Sequence, residues 1–351
     1  MSFGPLDAET AQRHFVYSML HEACVAKGHT LHGDARYGYS GFIEFAPGKR
    51  GYFMGTAFDV NGQGASQLAR DKAYAAQLLA QAGLNTPEGV LLFAPRYRAE
   101  LALKNPSMAA KLGFAQPALD FAAVYGFPLF IKPNEGTAGR GVSRVTSPEQ
   151  LFAAIHALFA TSDKALLQAP ALGRDYRLVV LDGAVLAAYE RSPFTVTGDG
   201  AASIATLVSR ALEGFARDNR PAGLEADDPR IATELAAQGL EPASVPAEGR
   251  RVVLMPNANL STGGNSADVT GLVHPGFLEI AARAAAACGL TFAGVDIMAA
   301  DISAPPADYT VIEVNSAPGL RNFAALTLQT RDRVRAIYAA LVDRMAAQAG
   351  L

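Results

Sequence analysis

The sequence predicts a mixed α/β protein, built as two domains or as one domain with well-separated lobes. Three observations lead there. At 351 residues the chain is about twice the usual domain length. Half of its residues are apolar and only 18% are charged, so a sizeable core is available and a disordered or collagen-like chain is excluded. Short apolar runs of strand type are interspersed with amphipathic, capped stretches of helix type, and no internal repeat or long Gly/Pro linker interrupts them.

Taken in order, GFIEFAPGKRGYFMG reads as a β-hairpin turning at Pro47-Gly48-Lys49. ASQLARDKAYAAQLLAQAG, from Ala65 to Gly83, places Leu68, Ala75, Leu78 and Leu79 on one face and ends on glycine, as one capped helix would. The punctuated stretch Ala94 to Pro117, with Pro95 and Pro106, marks a boundary that closes an N-terminal mixed lobe over residues 1–110. Next, Phe127 to Lys132 is an apolar strand, PNEGTAGRG a loop, VSRV a second strand. Ser147, Pro148 and Gln150 then supply a cap, a first-turn proline and a capping-box partner for a helix through Leu158. ALLQ is a strand, and YRLVVL and AVLAAYER form a hairpin turning at Asp182-Gly183. FAGVDIMA and YTVIEVN are two later strands, and the chain from Leu326 onward is helical. The remaining division is a lid part over 111–175 and a C-terminal part over 176–351.

A net charge of −3 gives no overall attraction for nucleic acid or an anionic membrane. Cys24 and Cys288 have no C-x-x-C partner, which points to a reducing cytoplasm. No signal peptide is read at the start, and the most apolar window, Ile280 to Ala300, is interrupted by Arg283 and Asp296.

Two groups of residues carry chemistry. The loop Glu135 to Gly141 contains three glycines and an arginine, so backbone N–H groups can approach a phosphate chain closely. A strand follows it instead of a helix, and no Lys-Ser/Thr pair closes it. It is therefore neither a dinucleotide fingerprint nor a Walker A loop, and with Lys132 at its root it suits a nucleotide lid. Asp296 on one strand faces Glu313 and Asn315 on another. Residues two apart share a face, so Glu313 and Asn315 point together while Ile312 and Val314 face the core. Three such oxygen donors suit Mg²⁺.

Together with the run Asn257 to Gly264, these segments resemble the ATP-grasp superfamily, most closely the ATP-grasp part of cyanophycin synthetases and bifunctional glutathione synthetases. The resemblance rests on FIKPNEGTAGRGV, GRDYRLVVLDGAVLAAYER, VTGDG, VPAEGRRVVLMPNANLSTGG, GVDIMAAD and VIEVNSAPGLR, between about Ala69 and Leu320. It implies an ATP-grasp fold with an N-terminal lobe, a small lid and a C-terminal mixed-sheet part. It also implies that Lys72 and Lys132 hold ATP phosphates under a flap of Gly136, Thr137, Gly139 and Gly141. Gln168 takes the adenine-facing hinge position where the family usually has Glu. Pro170 cannot donate a hydrogen bond, so Ala171 is the expected donor there. Asp175 joins the nucleotide-binding residues, Arg177 lines the reaction centre, and Arg321 lies near the acceptor. Asp296, Glu313 and Asn315 become the metal ligands for Mg²⁺, with Mn²⁺ able to replace it.

The activity implied is ATP-dependent carboxylate–amine ligation of an amino acid or small peptide through an acyl phosphate. A non-ligating ATP-binding module is the alternative. The length leaves no room for the second domains of the bifunctional relatives, so a stand-alone ligase core is expected, acting on small molecules with no nucleic-acid or membrane partner; related ligases are often dimers or tetramers, so the resemblance allows a homo-oligomer.

Overall fold

The computed structural model describes residues 3–136, 139–217, 223–255, 258 and 263–351. The N-terminal part runs β1 (Gly4–Pro5), α1 (Ala8–Gln12), α2 (Phe15–Lys27), β2 (Thr30–Gly33), β3 (Ser40–Ala46), β4 (Lys49–Met54) and β5 (Ala57–Phe58). Its strands pair in sequence order as an antiparallel meander. Strands β3 and β4 are the hairpin expected from the sequence, and Gly48 supplies the positive φ of its turn.

The single helix expected over 65–83 is two helices, α3 (Gln63–Arg70) and α4 (Lys72–Gln81). Asp71 breaks them: its backbone is extended at φ −80°, ψ 101°, and its carboxylate caps α4 by accepting from Tyr74 N–H. The break also undoes the common apolar face. Ala75 and Leu79 are buried, whereas Leu68 is exposed.

The middle part contains β6 (Gly89–Phe93), α5 (Pro95–Lys104), α6 (Pro106–Ala109), α7 (Ala115–Tyr125), β7 (Leu129–Pro133), β8 (Ser143–Val145), α8 (Pro148–Phe159) and β9 (Lys164–Gln168). Its antiparallel sheet has the order β6-β9-β7-β8. Pro95 and Pro106 each start a helix, where the missing N–H is no loss. Ser147 caps α8 as expected, but Gln150 Oε1 reaches back to the N–H and hydroxyl of Thr146 instead of closing a capping box on Ser147.

The last part contains β10 (Arg174–Leu181), β11 (Ala184–Ser192), β12 (Thr195–Thr197), α9 (Ile204–Arg217), α10 (Pro229–Ala237), β13 (Arg251–Val253), β14 (Asn265–Asp268), α11 (Pro275–Ala287), β15 (Phe292–Ala299), β16 (Tyr309–Asn315), α12 (Arg321–Ala324) and α13 (Leu328–Gln348). Its main sheet is antiparallel in the order β14-β11-β10-β15-β16, while β12 and β13 pair beside α9 and α10 over a separate small core.

The two faces of the main sheet have different work. Tyr176, Leu178, Val180, Val295, Ile297, Val311 and Val314 cover one face and pack with α11. On the other face, Val179, Leu181, Ala187 and Phe292 at one end join α2, α13 and the N-terminal sheet in a continuous core. The opposite end of that second face carries Asp175, Arg177, Arg191 and Asp296. Hydrophobic burial thus anchors half of a sheet face and leaves the other half to a polar site.

Candidate active site

The site is assembled from strand register. Arg177 on β10 lies opposite Tyr189 on β11 and Asp296 on β15, while Asp175 lies opposite Arg191 and Asp296 opposite Glu313 on β16. Charged residues two apart on neighbouring strands therefore meet on one face. Gly294, next in line on that face, makes room for the arginine: a Cβ there would approach Arg177 Cδ to 3.4 Å and Pro318 Cβ to 2.9 Å.

A bulge in the β15–β16 ladder corrects one expectation. Asp296 pairs with Glu313 but Ile297 pairs with Val311, which leaves Ile312 as the extra residue. Ile312 therefore lines the cavity, while Val311 and Val314 enter the core. Glu313 and Asn315 stay on the cavity side, and Asn315 Nδ2 donates to Glu313 Oε1 at 2.9 Å.

The cavity has a volume of about 850 Å³. The expected residues Lys72, Lys132, Gly136, Gly139, Gln168, Ala171, Asp175, Arg177, Asp296, Glu313 and Asn315 all line it. Gly141 does not. It sits at φ 72° where a Cβ would come within 2.9 Å of Leu158 Cδ2, so it closes the loop against its own core. Arg321 also lies outside the lining. Phe323 of its short helix packs into the core, and the Arg321 guanidinium is turned over the Phe15 ring, 5.9 Å from the centroid, with Asn322 taking the cavity side. Thr137 lies outside the described residues, as does most of the 257–264 run.

Helix α4 begins at the site because of the Asp71 break. Lys72 N–H donates to Asn134 carbonyl and Ala73 N–H to Asn134 Oδ1, which fixes the root of the glycine loop on the helix N-terminus. Lys72 Nζ donates to the Gly136 carbonyl at 2.9 Å and stands 3.8 Å from Glu313 Oε2. Across the same root, Lys164 lies 3.3 Å from Glu135 and 3.5 Å from Asp71. Lys132, on β7, is 9% exposed, and burial brings its ammonium down to about 8, partly resisted by Glu313.

Arg177 meets Asp296 through two bonds of 2.6 Å and approaches Glu313 to 3.8 Å. Burial works against the Asp296 charge, yet Arg177 and Arg191 outweigh it and hold the carboxyl at about 2. Burial raises the Asp175 carboxyl against the pull of Arg191.

Sequence reasoning missed Arg191 and Tyr189. Both lie in AVLAAYER, two residues apart and so on one face, which is the signal that could have found them. Tyr189 stacks on Phe323, with centroids 4.8 Å apart, and joins the site to the N-terminal core. Asn61 and Thr56 make a second tie. Asn61 Nδ2 donates to the carbonyls of Phe292 and Ser316, and Thr56 to that of Ala317, beside the cavity.

Asp296, Glu313 and Asn315 offer two carboxylates and an amide oxygen, a hard donor set that fits Mg²⁺. Among the described residues, the cavity lining carries six cations, Lys72, Lys132, Arg140, Arg174, Arg177 and Arg191, against four carboxylates, Asp175, Glu190, Asp296 and Glu313, an excess that suits a polyanion such as a nucleotide phosphate chain.

Residues 256–333 match the RimK-like ATP-grasp domain family. Cyanophycin synthetase of Trichormus variabilis is 33% identical over 267 residues, covering 74% of this chain and 27% of that protein. The glutathione biosynthesis bifunctional protein GshAB of Desulfotalea psychrophila is 29% identical over 285 residues, covering 78% of this chain and 34% of its own length. This chain therefore spans about a third or less of the curated relatives it matches. Among solved structures, the bifunctional glutathione synthetase from Pasteurella multocida superposes with a TM-score of 0.55 at 22% identity, covering 92% of this chain and 44% of that one, which shows the common fold. Residues 256–333 thus carry the RimK-like ATP-grasp match, and the chain as a whole shares the fold of the solved bifunctional glutathione synthetase.

Proposed function

We propose that this protein is an ATP- and Mg²⁺-dependent carboxylate–amine ligase that forms an amide bond on an amino acid or small peptide and releases ADP and phosphate. The observation that carries this reading is the convergence of Lys72, Lys132, Arg177 and Arg191 around Asp296, Glu313 and Asn315 in one cavity beside a glycine loop. The matched relatives are named as a cyanophycin synthetase and a glutathione biosynthesis protein, which supports the substrate class.

In the first step a substrate carboxylate oxygen attacks the γ-phosphorus, and the bond to the β,γ-bridging oxygen breaks to release ADP. In the second an amine nitrogen attacks the acyl carbon, the bond to the phosphate oxygen breaks, and the amine proton passes to solvent or phosphate. Such a transfer needs positioning and charge neutralisation more than a protein nucleophile. Lys72 and Lys132 bind the phosphate chain, and Arg177 stabilises charge at the transferring group. Gln168 and Ala171 border the adenine, with Asp175 at the start of β10. The loop bearing Gly136, Thr137 and Gly139, closed by Gly141, excludes water from the reactive anhydride. Asp296, Glu313 and Asn315 would hold Mg²⁺, which when bound neutralises and orients phosphate oxygens. Arg321 receives no role in these steps, since its guanidinium is turned to Phe15.

The proposal includes the three-part division 1–110, 111–175 and 176–351, with β6 contributing to the sheet of the middle part. A reducing cytoplasmic setting and a homo-oligomer belong to it too, and the unpaired, buried Cys24 and Cys288 support the former. The test is a screen of amino-acid pairs with Mg-ATP, read as ADP release and product mass. Amine-dependent ADP release with an amide product is expected. ATP binding without either would favour a non-ligating module.

A further inference from the structure

We infer that Arg191 is a positioning residue, braced by Asp175, that fixes the Asp296 carboxylate for its cation and so leaves Arg177 able to follow the reacting groups. The inference rests on the nucleotide and metal reading of this cavity and adds a role to it.

Arg191 starts on β11 and crosses β10 to reach Asp296 on β15, because β10 lies between those strands. The span needs a long side chain, and the Nη2 tip of the guanidinium stands between the two carboxylates while Nε adds a second bond to Asp175. Its Nε and Nη2 lie 3.1 and 2.6 Å from Asp175 Oδ1, and Nη2 also lies 2.9 Å from Asp296 Oδ2. Arg177 holds the same carboxylate differently, with Nε on Oδ1 and Nη2 on Oδ2. Its side chain is 16% exposed against 7% for Arg191, and it stands within 3.8 Å of Glu313.

These contacts separate the two arginines. Arg191 is clamped by Asp175, more deeply buried, and reaches Asp296 at Oδ2. Arg177 spans both oxygens, so its two bonds compete with any cation shared by Asp296 and Glu313. When they loosen, Asp296 keeps the Arg191 bond and presents Oδ1. Without Arg191, the carboxylate would lose its fixed direction at that moment, and Asp175 would lose its hydrogen-bonded cation.

The test is Mn²⁺ binding, followed by the electron paramagnetic resonance of the free ion, with a non-hydrolysable ATP analogue bound. The proteins are wild type, Arg191→Lys, Asp175→Asn and the double variant. Lysine keeps the charge, but its ammonium stops one atom short of the Nη2 position and has no counterpart of the Nε bond to Asp175. Mn²⁺ affinity is expected to fall by about tenfold or more in each single variant, as for other residues that orient metal ligands. The double variant should fall no further than Arg191→Lys, because Asp175 acts through Arg191. The loss of Mn²⁺ affinity in each single variant should exceed its loss of metal-free analogue affinity.

Folded Arg191→Lys with wild-type Mn²⁺ affinity would overturn the assignment, as would additive losses in the double variant. A loss of metal-free analogue affinity as large as the loss of Mn²⁺ affinity would mean that Arg191 acts on the phosphate directly, which also overturns it. Should Arg191→Lys fail to fold, Asp175→Asn, which retains Arg191, carries the same test. A wild-type chain that binds neither Mn²⁺ nor the analogue refutes the underlying site reading, a result distinct from all of these.

Discussion

Lys132 gives the sharpest pH prediction. Its ammonium falls from the ordinary 10.5 to about 8 because it is buried, which corresponds to a penalty of about 3 kcal/mol on the charged form. At pH 7 roughly ten Lys132 side chains in eleven are still charged, at pH 8 about half, and at pH 9 about one in eleven. Phosphates beside the ammonium favour its charged form, so nucleotide binding above pH 8 must first restore the proton. The sign follows: affinity for an ATP analogue should be nearly constant from pH 7 to 7.5, then fall with a slope approaching tenfold per pH unit above pH 8.5, with about one proton taken up per nucleotide. Titration calorimetry in two buffers of different ionisation enthalpy reads both quantities. Lys132→Met should bind more weakly at pH 7 and lose the slope, whereas Lys132→Arg, whose guanidinium stays protonated, should show a flat profile. The same slope in Lys132→Met would refute the reasoning, because some other group would then be titrating.

Other expectations follow from the same geometry. Glu313→Gln or Asp296→Asn should abolish turnover while circular dichroism stays native, since each removes a hard oxygen charge from the donor set. Turnover near wild type would remove the metal assignment. Amides of Gly139 to Val142 should gain hydrogen-exchange protection when Mg-ATP binds, and equal protection with and without it would count against a closing loop. Leu341→Ala, at a fully buried position of α13 in the core shared with α2, should cost about 2 to 5 kcal/mol in denaturant unfolding, and a loss under 1 kcal/mol would contradict the packing described. Hydroxylamine supplied with the correct acid and ATP should give a hydroxamate together with ADP and phosphate, whereas adenylate chemistry would give the hydroxamate with AMP and pyrophosphate.

Much of the fold was legible because its strands carry their own signals. FAGVDIMA and YTVIEVN became β15 and β16 with the bounds the sequence suggests, and the Pro47-Gly48 turn joins β3 to β4. The failures share a physical cause, which is that register and breaks depend on contacts far away in sequence. A bulge between Val179 and Val180 shifts the β10–β11 hairpin by one residue. Counting from the Asp182-Gly183 turn would set Glu190 opposite Asp175, and the bulge sets Arg191 there instead. Ile312 was misassigned for the same reason on β16. Asp71 can continue a helix or cap one. Its extended backbone, with Asn134 accepting from Lys72 N–H, makes it a cap, and nothing in the local sequence specifies that distant partner. Arg321 follows its motif in sequence, but the burial of Phe323 turns it away from the cavity.

The central claim is that a substrate carboxylate oxygen becomes bonded to the γ-phosphorus of ATP before the amine attacks. Its most direct measurement uses the acid substrate labelled with ¹⁸O in its carboxylate, a full reaction with amine and Mg-ATP, and mass analysis of the phosphate released. One ¹⁸O atom per inorganic phosphate formed is predicted, with ADP unlabelled. Unlabelled phosphate, or label appearing in AMP, would contradict the claim.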